Sequence, residues 1–165
     1  MSYGGEARTG FKTARGRDWP SIRQYSVFLE NRVGQLHDLV RRFEGSKVRI
    51  VALSIIDSVD CAIVRMVLSH PEQGREILDR AGYPVTESDL IAVALPPTQQ
   101  PLGDICTALL RAEINIHYAY PLIVHPHGRA AIALHVENHE MAVDVLRREG
   151  FEVLTEADLL AGPTF

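Results

Sequence analysis

The sequence predicts an α+β protein built from two βαββαβ repeats, with antiparallel sheets side by side and the helices on one face. Three observations carry this. The stretch LENRVGQLHDLVRRFEGSKVRIVALSI from Leu29 lies over LPPTQQPLGDICTALLRAEINIHYAYP from Leu95 without a gap, an offset of 66 residues. Each copy passes from a helix-spaced apolar pattern to β-rich runs and back. A glycine closes the second helix in both copies, Gly82 and Gly150, as expected of a residue that adopts the left-handed conformation past a helix end.

Taken in order, the first strand of the first copy runs into the polar loop Glu30-Asn31-Arg32-Val33-Gly34. The helix that follows presents Leu36, Leu39, Val40 and Phe43, matched in the second copy by Leu102, Ile105, Cys106 and Leu109. Both sets have the i, i+3, i+4, i+7 spacing of one apolar helix face. Two strands follow each helix: Val48 to Ile56 with Cys61 to Ser69, and Ile114 to Val124 with Ala130 to Glu137. The second helix starts at Pro71-Glu72 in the first copy, where proline suits an opening helical turn, and packs through Ile77, Leu78 and Ala81. Its counterpart packs through Met141, Ala142, Val145 and Leu146, and the short strands YPV and FEVL end the copies. TESD is the expected linker, giving halves at 21–87 and 88–165. The strand–helix–strand crossovers are right-handed by rule, so both helices of a copy cover the same face. Val51, Leu53 and Ile55 alternate with Ile50, Ala52 and Ile56, so the opposite face is also apolar. It requires a cover, another sheet being the simplest, and a homodimer is expected from it.

A chain of 165 residues with 46% hydrophobic and 23% charged residues has the composition of a globular protein with a real core. Its formal charge of −4 opposes a nucleic-acid binder, which usually carries a basic surplus. No apolar run reaches the roughly 20 residues needed to span a bilayer, and no apolar leader opens the chain. A cytoplasmic protein is expected. Cys61 and Cys106 sit singly in apolar runs and read as buried thiols rather than as a disulfide or a zinc site. Residues 1–20, with Arg8, Lys12, Arg15 and Arg17, read as a flexible tail.

The repeated pattern, ENRVGQL at the first strand-to-helix junction and INIHYAY opening the second strand of the second half, resembles a tandem ACT-domain protein. The resemblance covers Gln24 to about Leu160. It implies ferredoxin-like domains acting as regulatory modules, most of which sense amino acids, with a ligand held between neighbouring domains. In that arrangement the loop of one domain and an Asn opening the second strand of the other contact the ligand. Carried onto this chain, the ligand-binding residues are Glu30, Asn31, Arg32, Val33, Gly34 and Gln35, with Asn115 from the other half and His117 beside it. The physics is compatible, because the first turn of a helix offers unpaired N–H groups and partial positive charge to a carboxylate. Arg49 stands at the position of Asn115 in the first half, and Pro97 and Gln100 stand at those of Asn31 and Gly34 in the second. One of two quasi-symmetric sites is therefore intact.

Several residues have plainer readings. Asn31 is a good helix cap, Gly34 suits close packing, and Arg32 and His37 suit a solvated surface. Either His117 or Tyr118 faces the helices and the other the open face, by strand alternation. His135 and His139 fall on a strand and a helix start, so they do not form the His-Glu-x-x-His pair of a zinc site; His125 and His127 flank a turn proline. No metal or cofactor is expected. No nucleophile elbow, glycine-rich phosphate loop or paired carboxylates occur, so no catalytic residue is assigned. The rivals are an acylphosphatase-like hydrolase of the same topology, using Arg32 and Asn31, and an interaction module with no ligand. The favoured reading is a non-catalytic regulator that binds a small amino acid or related carboxylate and acts on a partner protein, away from nucleic acid and membrane.

Overall fold

The computed structural model describes residues 19–160. The tail expected over 1–20 lies, up to residue 18, outside the described residues. The first repeat contains β1 (Ile22–Glu30), α1 (Gln35–Arg41), β2 (Ile50–Asp57), β3 (Cys61–Leu68) and α2 (Pro71–Arg80). Then come β4 (Val85–Ala94), α3 (Pro101–Arg111), β5 (Ile116–Pro121), β6 (Ala131–Val136), α4 (His139–Arg148), β7 (Val153–Leu154) and α5 (Glu156–Leu160). A 3-10 turn (Pro126–Gly128) lies between β5 and β6.

The expected α+β fold of two antiparallel βαββαβ repeats is present, in one seven-stranded sheet of order β2-β3-β1-β4-β6-β5 with β7 also on β4. What joins the repeats is not the linker expected at TESD. Residues 86–89 lie inside β4, whose first part, Val85–Leu90, pairs with β1 and whose last part, Ile91–Ala94, pairs with β6. One strand thus serves as the fourth strand of the first repeat and the first strand of the second. Thr86, Glu87 and Ser88 look like a turn by composition, but the ladder to β1 gives their backbone groups partners.

Alternation along the strands separates two environments. On the helix face of the first repeat, Tyr25, Val27, Met66 and Leu68 pack with Leu39, Phe43 and Leu78; in the second, Ile91, Val93 and Leu134 pack with Ile105, Leu109 and Leu146. Pro71 occupies the first turn of α2, and Asn138 caps α4 by accepting the Met141 N–H at 3.1 Å. Gly82 and Gly150 adopt φ of 80° and 87° just past α2 and α4, the geometry that required glycine there. Some residues assigned to apolar helix faces are outside the core: Val40, Leu102, Met141 and Cys106 are exposed, and Cys61 is only half-buried. Ile105, Ala108 and Leu109 turn α3 so that Cys106 falls on its flank, which corrects the reading of buried thiols.

The face without helices is covered by the chain's own second half. The sheet curls until its edge strands touch, with an Ala52↔Leu122 bridge and the Ile123 N–H donating to the Val51 carbonyl at 2.7 Å. Inside lie Ile22, Val51, Val67, Leu90, Tyr120 and Leu122, and Leu159 of α5 belongs to the same cluster. Ala52, Ala92, Ala94, Ala131 and Ala133 also line it, none more than 3% exposed. Small side chains let the facing walls approach without voids. Val51 and Ala52, which motivated a dimer, are therefore buried within one chain.

Gln24, fully buried, ties the two walls together. Its Nε2 donates to Tyr118 Oη at 2.8 Å and its Oε1 accepts from Tyr120 Oη at 2.7 Å. Burial pushes the Tyr120 phenol well above the ordinary tyrosine value, so it stays a neutral donor. Tyr120→Phe should destabilise the protein by about 1–3 kcal/mol, because a buried amide oxygen loses its donor. A urea titration of the variant measures this; an unchanged midpoint would mean that the bond contributes nothing.

Candidate functional site

The loop after β1 is built as its composition suggests. Gly34 stands at the mouth of α1 with φ 88° and ψ −10°, a conformation that disfavours any side chain. No side chain caps the helix; the Gln35 N–H donates to the Arg32 carbonyl at 3.3 Å, and those of Leu36 and His37 are left to an outside acceptor. Asn31 is not the helix cap: its Nδ2 donates to Asp57 Oδ1 at 2.9 Å and to the Ser58 carbonyl at 3.4 Å, binding the loop to the β2–β3 turn. Arg32 pairs with Glu30 at 2.5 Å on the surface. That pairing opposes the acylphosphatase-like reading, which needs an arginine aimed at a phosphate. Val33 is fully exposed, as is nearly all of Val59 in the neighbouring turn, and His37 points to solvent.

The loop gathers Glu30, Asn31, Arg32, Val33, Gly34 and Gln35, but within one chain Asn115 and His117 are elsewhere. Glu30 lies three residues past the Val27↔Val85 pair, level with residue 82. Asn115 accepts the Glu137 N–H at 3.0 Å, three residues past the Leu134↔Ile91 pair and level with Ser88. The offset of about six residues amounts to roughly 20 Å along the strands. Among the described residues no hydrogen bond or ion pair joins the loop to Asn115 or His117. In the degenerate counterpart, Gln100 precedes α3 without capping it, and the Arg49 N–H donates to Ser69 Oγ at 2.9 Å.

His117 belongs to a different group. A bulge between Ile116 and Tyr118 breaks the alternation of β5, so that His117, itself exposed, and Tyr118 both come beside His135, against the expectation that they point opposite ways. His117 lies 5.2 Å from His135, ring to ring, and Tyr118 stacks on His135 at 4.8 Å. The Arg65 guanidinium lies 3.7 Å above the Tyr118 ring. Sequence reasoning passed over Gln24 and Arg65 and weighed His135 only as a zinc ligand. The available signal was a polar side chain at an inward position of a strand otherwise fit for a core, as in CAIVRMVL.

Among the described residues no group of three or more His, Cys, Asp or Glu could hold a metal ion. No helix among them is long and apolar enough to cross a membrane.

A curled sheet of two βαββαβ repeats sharing one strand defines a paired α+β domain architecture. The chain belongs to the ACT domain pair family, whose sequence profile matches residues 20–161. Such pairs are typically regulatory rather than catalytic modules. Among solved structures, protein BT0572 from Bacteroides thetaiotaomicron is similar with a TM-score of 0.77 at 22% identity, over 86% of this chain and 97% of that one. The ligand-free regulatory subunit of aspartate kinase from Thermus thermophilus is similar with a TM-score of 0.54 at 10% identity, over 78% and 91%. At these identities the likeness is one of fold. No curated protein matches the sequence.

Proposed function

We propose that this protein is a non-catalytic, ligand-sensing regulator in the cytoplasm that binds a small amino acid, or a related carboxylate, at the loop Glu30–Gln35 and acts on a partner protein. The observation that carries this reading is the ACT domain pair spanning 20–161. The loop supports it with an uncapped helix start and a left-handed glycine that permits close approach. The aspartate kinase neighbour is itself a regulatory subunit, which suits a chain acting on a separate catalytic protein.

Because Asn115 is distant from the loop within a chain, the proposal assigns it to a second copy. A homodimer through the loop end of the first repeat covers Val33 and Val59, which the second repeat leaves bare. Light scattering at micromolar concentration should give twice the mass of one chain, and a value for a single chain would remove this part of the proposal.

A thermal-shift screen of the twenty amino acids tests the ligand. A hit at a hundredfold excess over Kd should stabilise the protein by about 2.7 kcal/mol. In isothermal titration, Asn31→Ala and Asn115→Ala should each weaken binding by about 1–3 kcal/mol, whereas Arg49→Ala and Gln100→Ala should matter little. Unaltered affinity in both asparagine variants would place the pocket elsewhere.

A further inference from the structure

The interior of the curled sheet is apolar at the end nearest Leu159 and changes character toward its other mouth. One wall there carries a polar row. Ser26 and Ser54 are the direct cross-strand partners of Arg65, so all three side chains share one face of β1, β2 and β3. Thr86 extends the row as the partner of Ser26 on β4. The facing wall carries Tyr118 and His117 from β5 and His135 from β6, with His139, whose Nε2 meets the Pro20 carbonyl at 3.0 Å, opening α4 near them.

This group has abundant donors and no counter-charge. Arg65 lies against Tyr118 with no carboxylate within ion-pair distance among the described residues. No hydrogen bond from the Arg65 guanidinium is seen among the described residues, so its N–H groups are free to donate. His135 Nδ1 is buried and has no hydrogen-bond partner. Ser26 is 8% exposed, with no side-chain partner among the described residues. Tyr118 Oη already accepts from Gln24, so its own proton is available. A half-buried guanidinium with no counter-charge, and a buried unpartnered ring nitrogen across the Tyr118 ring from it, are costly unless an anion offsets the positive charge. Immediately beyond this row lies an apolar one, Phe28, Ile63 and Ile56, cross-strand partners on the same face and all at least partly exposed. It fits a short hydrocarbon group attached to the anion.

We propose that the mouth of the curled sheet is a second ligand site, separate from the loop Glu30–Gln35, in which Arg65, Ser26 and Ser54 hold the carboxylate of a small organic acid, with His135 close by across the Tyr118 ring, and Phe28 and Ile63 hold its apolar end. The ligand lacks an ammonium group, because the cluster contains cations and donors but no carboxylate to receive one. Burial first, and then the charges of His117, Arg65 and His139, keep His135 below the ordinary histidine value. Among the described residues those three groups act on His135, and the Tyr118 ring stacks on it. A bound carboxylate opposes the same charges and raises the His135 value, so binding tightens as pH falls, by about tenfold for each unit of that rise.

The test uses the full chain with 3-methyl-2-oxobutanoate, valine and inorganic phosphate as probes, in calorimetry and in NMR titration of the histidine ring protons. The oxo acid should bind more tightly at lower pH and move the His135 midpoint upward. Arg65→Gln should weaken it by about tenfold or more, as expected on losing a charge-assisted pair. His117→Gln, at an exposed position where folding is not at stake, should weaken it severalfold, while Asn31→Ala should leave it unchanged. Loss of oxo-acid binding in Asn31→Ala would assign the ligand to the loop and overturn this proposal without affecting the other. Valine binding that depends on Arg65 would overturn the exclusion of an ammonium group. Phosphate binding without oxo-acid binding would overturn the carboxylate assignment. An unmoved His135 midpoint with both anions would overturn the site altogether.

Discussion

Replacing Leu90 by alanine should lower the unfolding free energy by about 2–5 kcal/mol, the range for emptying a leucine site that cannot collapse. Leu90 is fully buried, pairs with Ile22 at the last β1–β4 rung, and adjoins the residue where β4 changes partners. Its side chain belongs to the interior cluster to which both repeats contribute. The loss is therefore shared by the two halves, and the variant should still unfold in one transition. Guanidinium titrations followed by far-UV dichroism and by tyrosine absorbance report backbone and interior separately. Two separated transitions would show that each repeat folds without the other, despite the common strand.

That cooperativity was only partly legible in the sequence. Periodicity revealed the repeats, their helices and their strands because it is a local property: Leu39 with Phe43, or Ile105 with Leu109, betrays a helix face without reference to the rest of the chain. The apolar second face of the strand holding Val51 and Ala52 was equally visible, together with its need for a covering sheet. What could not be read was which sheet covers it. The alanines at 92, 94, 131 and 133 hint at close approach, but small residues also occur in exposed helices and turns. The fate of TESD was hidden for a related reason, since its polar side chains suit a turn and only the ladder to β1 makes it a strand. The loop Glu30–Gln35 was legible as a helix mouth, yet Asn31 turned out to hold the β2–β3 turn, a tertiary contact that no local pattern announces. His117 escaped prediction because a single bulge at Ile116/Tyr118 reverses the parity on which the facing rule depends.

Arg23→Ala should cost about 2–3 kcal/mol, somewhat below the range for a fully buried pair because both side chains keep some solvent contact. The guanidinium meets Glu156 through two bonds, Nε to Oε1 at 2.9 Å and Nη2 to Oε2 at 2.8 Å, and the Arg23 backbone N–H donates to Oε1 at 3.2 Å. The side chains are 21% and 12% exposed. Glu72 adds a longer, exposed contact at 3.5 Å. This fork joins β1 to α5, the short helix whose Leu159 belongs to the interior cluster, so the variant loses more than a charge pair. The hydrogen bond to Glu156 is the main reason that the arginine value is raised, against burial, which lowers it. A raised value contributes stability at every pH below the unfolded arginine value, itself far above neutrality, and loses it only as pH climbs through the folded one. The difference between wild type and Arg23→Ala should therefore be the same at about pH 6 and about pH 8. Because removing one partner strands the Glu156 carboxylate, Arg23→Met combined with Glu156→Leu should recover most of the loss. Chemical denaturation of the single and double variants decides it: a double variant no more stable than Arg23→Ala would show that the fork itself, rather than the stranded charge, holds α5 in place.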